Sequence, residues 1–536
     1  MFKRNILVIF ITLLLISFHI YITSNGFIKY KNLLVSEEKW NEIIESREEV
    51  LDSMINSLSF NNVNLFKDND GIFYYSLIDN SNTAYAPKLY YDTMNDVNIM
   101  IKSLITDDMI SNNEYLEILF YNDEFYKIEK VVCTKLPVMS LNFYVDVLNR
   151  DEYVSMDMAL YDNRSDAVNR LITSTGEIRY RGATSYSYPK KSYRMKLNID
   201  SLGDNSRNNN TALLGMRKNN SWLLTALYSD PEKVRNVFSS NLWYDCCSKN
   251  NSFDISNGIE YKYIELIVNG EYQGLYALGY PLDEKQMELS KNSFGYYDEY
   301  LFKKQGWLPS EYDISRTKDK GLDSYFIISS YNDESDAWLS LLRIYHRLNV
   351  EPIKEELEKS FDMDNFIDLY LYFNFVQGID NINDVTINNA YVTLKKYNND
   401  YKLILTPWDM DQTFGNIWNM SYPNNINSYG IKTDNNFVMK FGPVAKLLEV
   451  DDIDIKNRIN ERYEELRNTI WSEEYILDLI NEYEGDIYNS GVFLREKNTW
   501  PDGNYNLESE KLSVFKDYVL ERITYMDEYM KDNFEY

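Results

Sequence analysis

The stretch from residue 360 to residue 416 constrains the fold more than any other part of this 536-residue chain. Its first part, SFDMDNFIDLYLYFNFVQGID, carries apolar residues almost throughout and ends near Gly378, which predicts a buried helix over 360–380. Two apolar strands are predicted next, from Ala390 to Lys395 and from Tyr401 to Leu405. Further strand patterns precede this stretch and helical patterns follow it, so the sequence predicts an α+β fold.

Polar residues cluster where the predicted helix ends. Asp380 is followed by Asn383, Asp384, Asn388 and Asn389. A carboxylate at the rigid exit of a helix can orient a hydroxyl and accept its proton, and an amide a few residues later can hold a metal. Asp384 and Asn389 have the D-x-x-x-x-N spacing of a protein-kinase catalytic loop, so Asp384 competes with Asp380 as the base. The structural alternative is an ordinary Asx-rich turn.

Two carboxylates follow the second strand in LTPWDMDQTFGN (405–416). Carboxylate oxygens suit Mg²⁺ or Mn²⁺, and one or two of them suffice when substrate phosphates supply the other ligands. Alternate residues of a strand face opposite sides, so Asp409 and Asp411 can reach one metal only if the strand has ended. The Phe414-Gly415 corner favours such an end. A polar strand terminus without a metal is the alternative.

A second group of candidates lies between two predicted strands in GEIRYRGATSYSYPKKSYRMKLN (176–198). The segment Arg181-Gly182-x-x-Ser185 can form a loop whose backbone N–H groups bind phosphate oxygens. Lys190 or Lys191, at the start of the next strand, can then reach the phosphates. An ordinary hairpin loop and a solvated strand end are the alternatives.

The next two elements are a helix and a hairpin. The sequence SDPEKVRNVFSSNLW (229–243) predicts a helix capped by Ser229 or Asp230, with Pro231 in its first turn and Arg235 away from its apolar face. The sequence YIELIVNGEYQGLYAL (263–278) predicts a β-hairpin, because Asn269-Gly270 accepts the positive φ angles of a tight turn.

Composition excludes several classes of function. The formal net charge of −28 argues against a sequence-independent nucleic-acid binder and fits an acidic surface with a basic partner. Three cysteines, two of them adjacent, give neither a disulfide framework nor a thiolate zinc site. A Ser-His-Asp or Cys-His hydrolase would have to use His346, since the other histidine lies in the N-terminal apolar run. The remaining candidates are carboxylates, Lys, Arg and Asn.

The N-terminal 135 residues divide into two predicted parts. Residues 1–24 contain an apolar run after Lys3 and Arg4, which is long enough for a membrane anchor or a signal peptide. A poor cleavage site favours an uncleaved single-span anchor, and positive charges on both sides leave its orientation open. Residues 25–135 predict a stalk helix over about 36–58, with Ser36 as its cap, and a small accessory region with some strands.

From about residue 137 onwards, the chain resembles the CotH family of spore-coat-protein-H kinases. The segments that carry the resemblance occur in the order of the family. They are RYRGATSYSYPKKSYRMKL, LYSDPEKVRN, ELIVNGEYQGLYAL, GIDNINDVTINNAYVTL and LTPWDMDQTFG.

The resemblance implies an atypical protein-kinase-like fold over 136–536, with a β-rich N-lobe to about 285 and a helical C-lobe after it. It implies ATP- and Mg²⁺-dependent (or Mn²⁺-dependent) phosphorylation of protein hydroxyls, often serine, on coat or surface proteins. Asp380 and Asn389 then resemble catalytic-loop residues, and Asp409, with Asp411 as a second ligand, resembles the metal site. The nucleotide side corresponds to Arg181, Gly182, Ser185, Lys190 or Lys191, and Arg235.

One residue departs from the family pattern, since Tyr280 occupies the place of a glutamate that usually follows the hairpin. This departure supports a second hypothesis, a catalytically impaired pseudokinase or a structural coat or surface assembly protein. A third, a carboxylate hydrolase of envelope polymers, explains Asp380 and Asp409 but not the Arg-Gly-x-x-Ser loop or the lysines. The expected partners are ATP, a basic Ser- and Lys-rich protein and a membrane, in a cell or spore envelope.

Overall fold

The structure is a computed structural model, and it describes most of the chain from residue 28 onwards. The described ranges are 28–79, 84–93, 96–145, 147–199, 207–307, 322–328, 331, 334–350, 352–383, 385–416, 438–505 and 511–534. Across these ranges, no helix combines the length and apolar character needed to cross a bilayer. The predicted anchor at residues 1–24 lies outside them, and so does Asp384.

Strands and helices are mixed along the chain, which confirms the α+β class. The strands of the described ranges are β1 (Ile28–Lys29), β2 (Glu48–Glu49), β3 (Ser57–Phe60), β4 (Val63–Asn64), β5 (Phe66–Lys67), β6 (Phe73–Ser76), β7 (Lys88–Asp92), β8 (Asn98–Ile101), β9 (Tyr115–Tyr121), β10 (Phe125–Thr134), β11 (Val138–Phe143), β12 (Val154–Tyr161), β13 (Leu171–Arg181), β14 (Ser192–Asn198), β15 (Ser221–Thr225), β16 (Tyr261–Val268), β17 (Glu271–Gly279), β18 (Tyr300–Lys304), β19 (Tyr325–Ile327), β20 (Ile382–Asn383), β21 (Thr386–Ile387), β22 (Ala390–Tyr397) and β23 (Asp400–Pro407). The helices of the same ranges are α1 (Glu37–Glu45), α2 (Asp107–Ser111), α3 (Arg235–Cys246), α4 (Glu334–Asn349), α5 (Lys354–Ser360), α6 (Met363–Val376), α7 (Pro443–Glu449), α8 (Ile453–Arg467), α9 (Glu473–Glu484), α10 (Val492–Thr499) and α11 (Ser513–Phe534).

The seven strands β11–β17 close into a barrel in the spatial order β11-β12-β13-β14-β15-β17-β16. All neighbours are antiparallel except β11 and β16, which are parallel. Closure leaves no free strand edge. The predicted alternation along β14 is confirmed, because Tyr193, Met195 and Leu197 are buried in the core of the barrel. The predicted hairpin is also confirmed, with Asn269 and Gly270 at φ 50° and 78° between β16 and β17.

The second half of the chain packs helices against the four-stranded sheet β19-β18-β22-β23. The predicted buried helix is confirmed as α6, and Asp362 caps it by accepting a hydrogen bond from the backbone N–H of Asn365. The Asn365 side chain in turn hydrogen-bonds both main-chain groups of Leu405 on β23. This anchor fixes the helix against the strand that leads into the acidic motif.

The accessory region forms two sheets, β1-β7-β3-β4 and β5-β6-β10-β9-β8, with β2 paired to β10. It packs on the barrel hairpin, where the backbone N–H of Asn69 donates to the carbonyl of Gly270 at 2.8 Å. The ring of Tyr74 also stacks on Tyr272 with centroids 5.3 Å apart. The accessory region is therefore joined to the barrel through the turn that the sequence marked as a hairpin.

Two helix predictions were wrong in extent. Ser36 caps α1 as predicted, but the helix ends at Glu45, because the next residues pair with β10 as strand β2. Helix α3 begins at Arg235 instead of near Ser229, since Lys233 adopts φ 63°, a left-handed conformation that interrupts a helix. In both places, contacts with distant parts of the chain outweigh the local helical pattern.

Candidate active site

Asp380 lies just past the end of α6 and is held by two asparagine side chains. The helix ends at Val376, and Gln377 turns the chain away with φ 52°. Asn389 Nδ2 donates to Asp380 Oδ2 at 2.8 Å, and Asn388 Nδ2 donates to Oδ1 at 3.3 Å. Because each carboxylate oxygen accepts its own amide, the orientation of the carboxylate is fixed.

The environment of Asp380 raises its proton affinity. Burial raises the pKa of Asp380 to about 6, and the charge of Asp409 acts in the same direction. Hydrogen bonds from Asn388, Asn389 and Trp307 oppose the increase, because they stabilise the ionised form. The carboxylate is therefore mainly ionised at pH 7 and accepts a proton close to that pH, as a general base requires.

The Asp409 loop begins where β23 ends, at Pro407. Asp409 has φ 59°, so the alternation of a strand has stopped at this residue. Neighbouring elements hold the loop, since Met410 N donates to Asn236 Oδ1 at 3.0 Å and Phe414 N donates to the carbonyl of Val376 at 2.8 Å. The sequence-based condition for Asp409 and Asp411 to act together, an ended strand, is thus met.

Asp411 is the second carboxylate of the loop. Burial, together with the charges of Asp409 and Asp380, raises its pKa to about 8. Ser229 Oγ donates to Asp411 Oδ2 at 3.0 Å and opposes the increase. Asp380, Asp409 and Asp411 therefore lie close enough for their charges to interact, although they come from two separate elements.

A metal at this point would depend on ligands from outside the chain. In the described part of the chain, no group of three or more His, Cys, Asp or Glu side chains could hold a metal ion. Asp409 and Asp411 nevertheless fit a hard cation, because both offer oxygen ligands and their mutual repulsion decreases when a cation binds. Phosphate oxygens of a substrate would complete such a site.

The Arg181 loop reaches this cluster from the barrel. The Arg181 guanidinium carbon lies 5.3 Å from the ring centroid of Trp408, the residue before Asp409, and Nη1 donates to Thr225 Oγ1 at 3.1 Å. Gly182 has φ 108°, and a Cβ at this position would lie 2.2 Å from Ser185 Oγ, so the tight turn requires glycine. Arg181 belongs to the site, whereas Gly182 and Ser185 shape the turn beside it.

The two candidate nucleotide lysines are engaged by protein acceptors. Lys190 is buried, and its amine makes an ion pair with Glu496 of α10 at 2.7 Å. Lys191 Nζ donates to the carbonyls of Tyr186 and Tyr188 at 2.7 and 2.6 Å. Lys190 therefore links the barrel to a C-terminal helix, and Lys191 braces the loop that follows Arg181.

Arg235 lies behind the acidic cluster. Its guanidinium is buried and pairs with Asp230 at 2.8 Å and with Glu232. The next residue, Asn236, accepts the hydrogen bond from Met410 described above. Arg235 thus fixes the start of α3, and through Asn236 this helix positions the loop that carries Asp409.

Lys303 of β18 is a residue that the sequence motifs missed. Its amine lies 5.0 Å from the ring centroid of Trp408 and 5.9 Å from that of Tyr391. Burial and the positive charges of Arg181 and Arg194 lower the pKa of Lys303, Asp409 opposes them, and the resulting pKa is about 8. The sequence YLFKK contains no motif that marks this lysine, because only the pairing of β18 with β22 brings it to the site.

Tyr280 is buried in the core of the barrel. Its ring packs edge-on against Trp222 with centroids 6.1 Å apart, and the Arg217 guanidinium lies 4.4 Å from its centroid. Arg217 in turn donates to Asp283 at 2.9 Å. Tyr280, the residue expected to depart from the family pattern, therefore contributes to the packing of the barrel.

The fold and the site define an α+β protein with a closed β-barrel and a helix-rich second half, in which the charges of three carboxylates interact. The sequence model described as CotH kinase protein matches residues 178–526, which is more than half of the chain. The chain belongs to the CotH family. No curated protein matches the chain.

Proposed function

We propose that this protein is an ATP- and Mg²⁺-dependent kinase that transfers the γ-phosphate of ATP to serine hydroxyls of coat or surface proteins. The observation that carries the proposal is the meeting of Asp380, from the exit of α6, with Asp409 and Asp411, from the end of β23. The charge of Asp409 raises the pKa of both other carboxylates. Membership of the CotH family supports the same class of reaction.

Asp380 is the general base of the proposed reaction. It accepts the hydroxyl proton of the substrate while the hydroxyl oxygen bonds to the γ-phosphorus and the bond to the β-γ bridging oxygen breaks, leaving ADP. Asn388 and Asn389 keep the carboxylate in one orientation as the substrate approaches. Positioning matters most in this chemistry, because phosphoryl transfer needs an aligned nucleophile and leaving group.

Asp409 and Asp411 are the residues that would hold Mg²⁺ (or Mn²⁺). The bound ion would supply charge neutralisation at the transferred phosphate. Arg181 provides a positive charge next to the metal-binding pair, because its guanidinium carbon lies 5.3 Å from the ring centroid of Trp408, the residue before Asp409. The chain therefore offers a base, a metal-binding pair and a phosphate-side cation within one site.

The test compares the full-length protein with single carboxylate variants. Asp380→Ala is expected to reduce transfer of labelled γ-phosphate to a basic serine peptide by about 100-fold or more, because a general base contributes that much. Asp409→Ala is expected to abolish Mg²⁺-dependent transfer. Asp151→Ala is the matched control, since its side chain is 87% exposed. Transfer at the wild-type rate by both site variants would overturn the proposal.

A non-catalytic coat or surface assembly protein is the second candidate. Two observations favour it: the amines of Lys190 and Lys191 are both engaged by protein acceptors, and Tyr280 replaces the family glutamate. A thermal-shift measurement separates the candidates, because an active kinase should be stabilised by ATP with Mg²⁺. Absence of any such shift would favour the assembly role.

The proposed location is a cell or spore envelope, with the protein anchored by one N-terminal span. The apolar run at residues 1–24 supports this location, and the net charge of −28 supports a basic Ser- and Lys-rich protein as the substrate. Membrane flotation of the full-length protein, compared with a variant that begins at residue 28, tests the anchor. Equal recovery of both proteins in the soluble fraction would overturn it.

A further inference from the structure

Lys303 has a charge that no acceptor in the described residues neutralises. Neither a hydrogen bond nor an ion pair within these ranges involves its amine, which contacts only the rings of Trp408 and Tyr391. Lys395, on the adjacent strand β22, shows the usual solution, with an ion pair to Glu299 at 2.7 Å. Lys303 is half-buried. Removing water from a cation without supplying a partner is costly, so the environment of Lys303 needs a separate explanation.

Neighbouring positive charges further destabilise the charged form of Lys303. Arg181 lies against the same indole ring as Lys303, with its guanidinium carbon 5.3 Å from the ring centroid. The positive charges of Arg181 and Arg194 both act on the amine. Arg194 itself has a buried Nε without a hydrogen-bond partner among the described residues. These three cations interact unfavourably with one another, and an anion that binds among them removes the repulsion.

The position of this cation cluster, next to the acidic loop, indicates which anion it fits. Trp408, which contacts both Lys303 and Arg181, directly precedes Asp409, and the charge of Asp409 acts on Lys303. A simple carboxylate would bind the cations but would be repelled by the Asp409 and Asp411 side. A phosphate chain with a bound divalent cation satisfies both sides, because its oxygens bind the basic groups and its metal binds the carboxylates.

We propose that Lys303, together with Arg181, binds the phosphate chain of the nucleotide and is the lysine that Lys190 and Lys191 cannot supply. This inference rests on the kinase function proposed above. Lys303 donates a charge-assisted hydrogen bond to a phosphate oxygen, while the aromatic rings of Trp408 and Tyr391 fix the position of its amine. Arg194 adds positive charge without a direct role in binding.

The test is calorimetric titration of the full-length protein with ATP, with inorganic tripolyphosphate and with adenosine, each in the presence of Mg²⁺. Lys303→Met is expected to weaken binding of ATP and of tripolyphosphate by about 10- to 100-fold, the range for loss of a hydrogen bond to a charged group. Binding of adenosine should not change. Lys396→Met is the matched control, since this lysine lies on the same sheet and its side chain is 48% exposed.

The outcomes separate this inference from the proposed function. If the wild type binds ATP and Lys303→Met binds it equally well, the inference is wrong and the kinase function stands. If the wild type binds tripolyphosphate but not ATP, and Lys303→Met loses that binding, the anion site stands and the kinase function is wrong. If the wild type binds neither ligand, both are wrong.

A second measurement uses the wild-type protein and does not depend on the folding of a variant. Acetylation of Lys303 by acetic anhydride is followed by peptide mass spectrometry, with and without tripolyphosphate and Mg²⁺. The ligand is expected to slow acetylation of Lys303 at least about 10-fold, in proportion to occupancy, and to leave Lys396 unaffected. Equal acetylation rates of Lys303 with and without saturating ligand would overturn the inference.

Discussion

At the scale of single residues, Asp380 shows how the same neighbours set both orientation and proton affinity. The amides of Asn388 and Asn389 hold its two oxygens and lower its pKa, whereas burial and Asp409 raise it to about 6. Without burial and the charge of Asp409 the carboxylate would be a weaker base, and without the hydrogen bonds from the two amides its pKa would be higher. The two asparagines therefore favour the ionised form of a carboxylate that burial disfavours.

This balance predicts a specific pH dependence of the proposed activity. Transfer requires ionised Asp380, so kcat/KM should fall about tenfold per pH unit below about pH 6. Asn389→Gly removes one donor and keeps a residue that accepts the φ of 45° found there. Because that donor lowers the pKa, its loss should move the acidic limb up by about one pH unit, the equivalent of roughly 1.4 kcal/mol.

The measurement is a pH profile of kcat/KM for the wild type and for Asn389→Gly. Asn383→Gly is not a suitable control because it changes a strand residue, whereas Asn398→Gly changes a turn residue with φ 53° away from the site. The profile of Asn398→Gly should match that of the wild type. A shift of the Asn389→Gly limb towards lower pH would contradict the assignment of Asp380 as the base.

At the scale of elements, the sequence predicted those structural features that depend on neighbouring residues. The Asn269-Gly270 turn, the alternation along β14 and the end of α6 near Asp380 all follow from short stretches of sequence. The end of the strand before Asp409 and Asp411 was predicted for the same reason, whereas their role as metal ligands stays a prediction. What these features share is that neighbours in sequence decide them.

The roles of the lysines could not be predicted in this way. Glu496, which neutralises Lys190, lies 306 positions away in sequence. Lys303 reaches the site only because β18 pairs with β22, and α3 starts late because Lys233 has a left-handed backbone. Pairings over such distances leave no local pattern in a single sequence. A lysine beside a glycine loop therefore resembles a phosphate ligand even when a distant glutamate neutralises it.

The Lys190–Glu496 pair is itself predicted to be a major stabilising link between the barrel and α10. Both side chains are fully buried, and Glu496 Oε2 also accepts the backbone N–H of Leu275 at 2.9 Å. Beside it, β17 has Gly274 at φ 86°, where a Cβ would lie 2.0 Å from that carboxylate oxygen. Lys190→Met should therefore lower the free energy of unfolding by about 3–5 kcal/mol, because it leaves a buried charge unpaired.

Urea unfolding of a double-mutant cycle tests this link. Lys190→Met with Glu496→Gln should recover part of the loss, since the second change removes the unpaired charge. The control is Lys39→Met, which breaks a surface pair with side chains 48% and 64% exposed and should change stability by less than about 1 kcal/mol. Equal losses for Lys190→Met and Lys39→Met would contradict a structural role for the buried pair.

At the scale of the whole molecule, the charge distribution would attract an anionic nucleotide and a basic protein in different ways. The chain carries a formal net charge of −28, yet Arg181, Arg194 and Lys303 concentrate positive charge at one point beside Asp409. An anionic nucleotide is attracted only by that local cluster, whereas a basic protein is attracted by the acidic molecule as a whole. Under the proposed function, this distribution would allow a highly negative cosubstrate and a positive substrate to meet at one site.

This difference in attraction predicts that the KM values of a basic and a neutral peptide substrate depend differently on salt. Long-range attraction between the acidic protein and a Lys- and Ser-rich peptide is screened by salt, so the KM for that peptide should rise several-fold between about 50 mM and about 500 mM NaCl. A neutral serine peptide of equal length is the control, and its KM should change little. The comparison at saturating ATP isolates the peptide, because screening of the nucleotide then has no effect on the rate. If both peptides respond equally, the net charge does not select the substrate, and a basic partner would have to be recognised by contacts close to Asp380 instead.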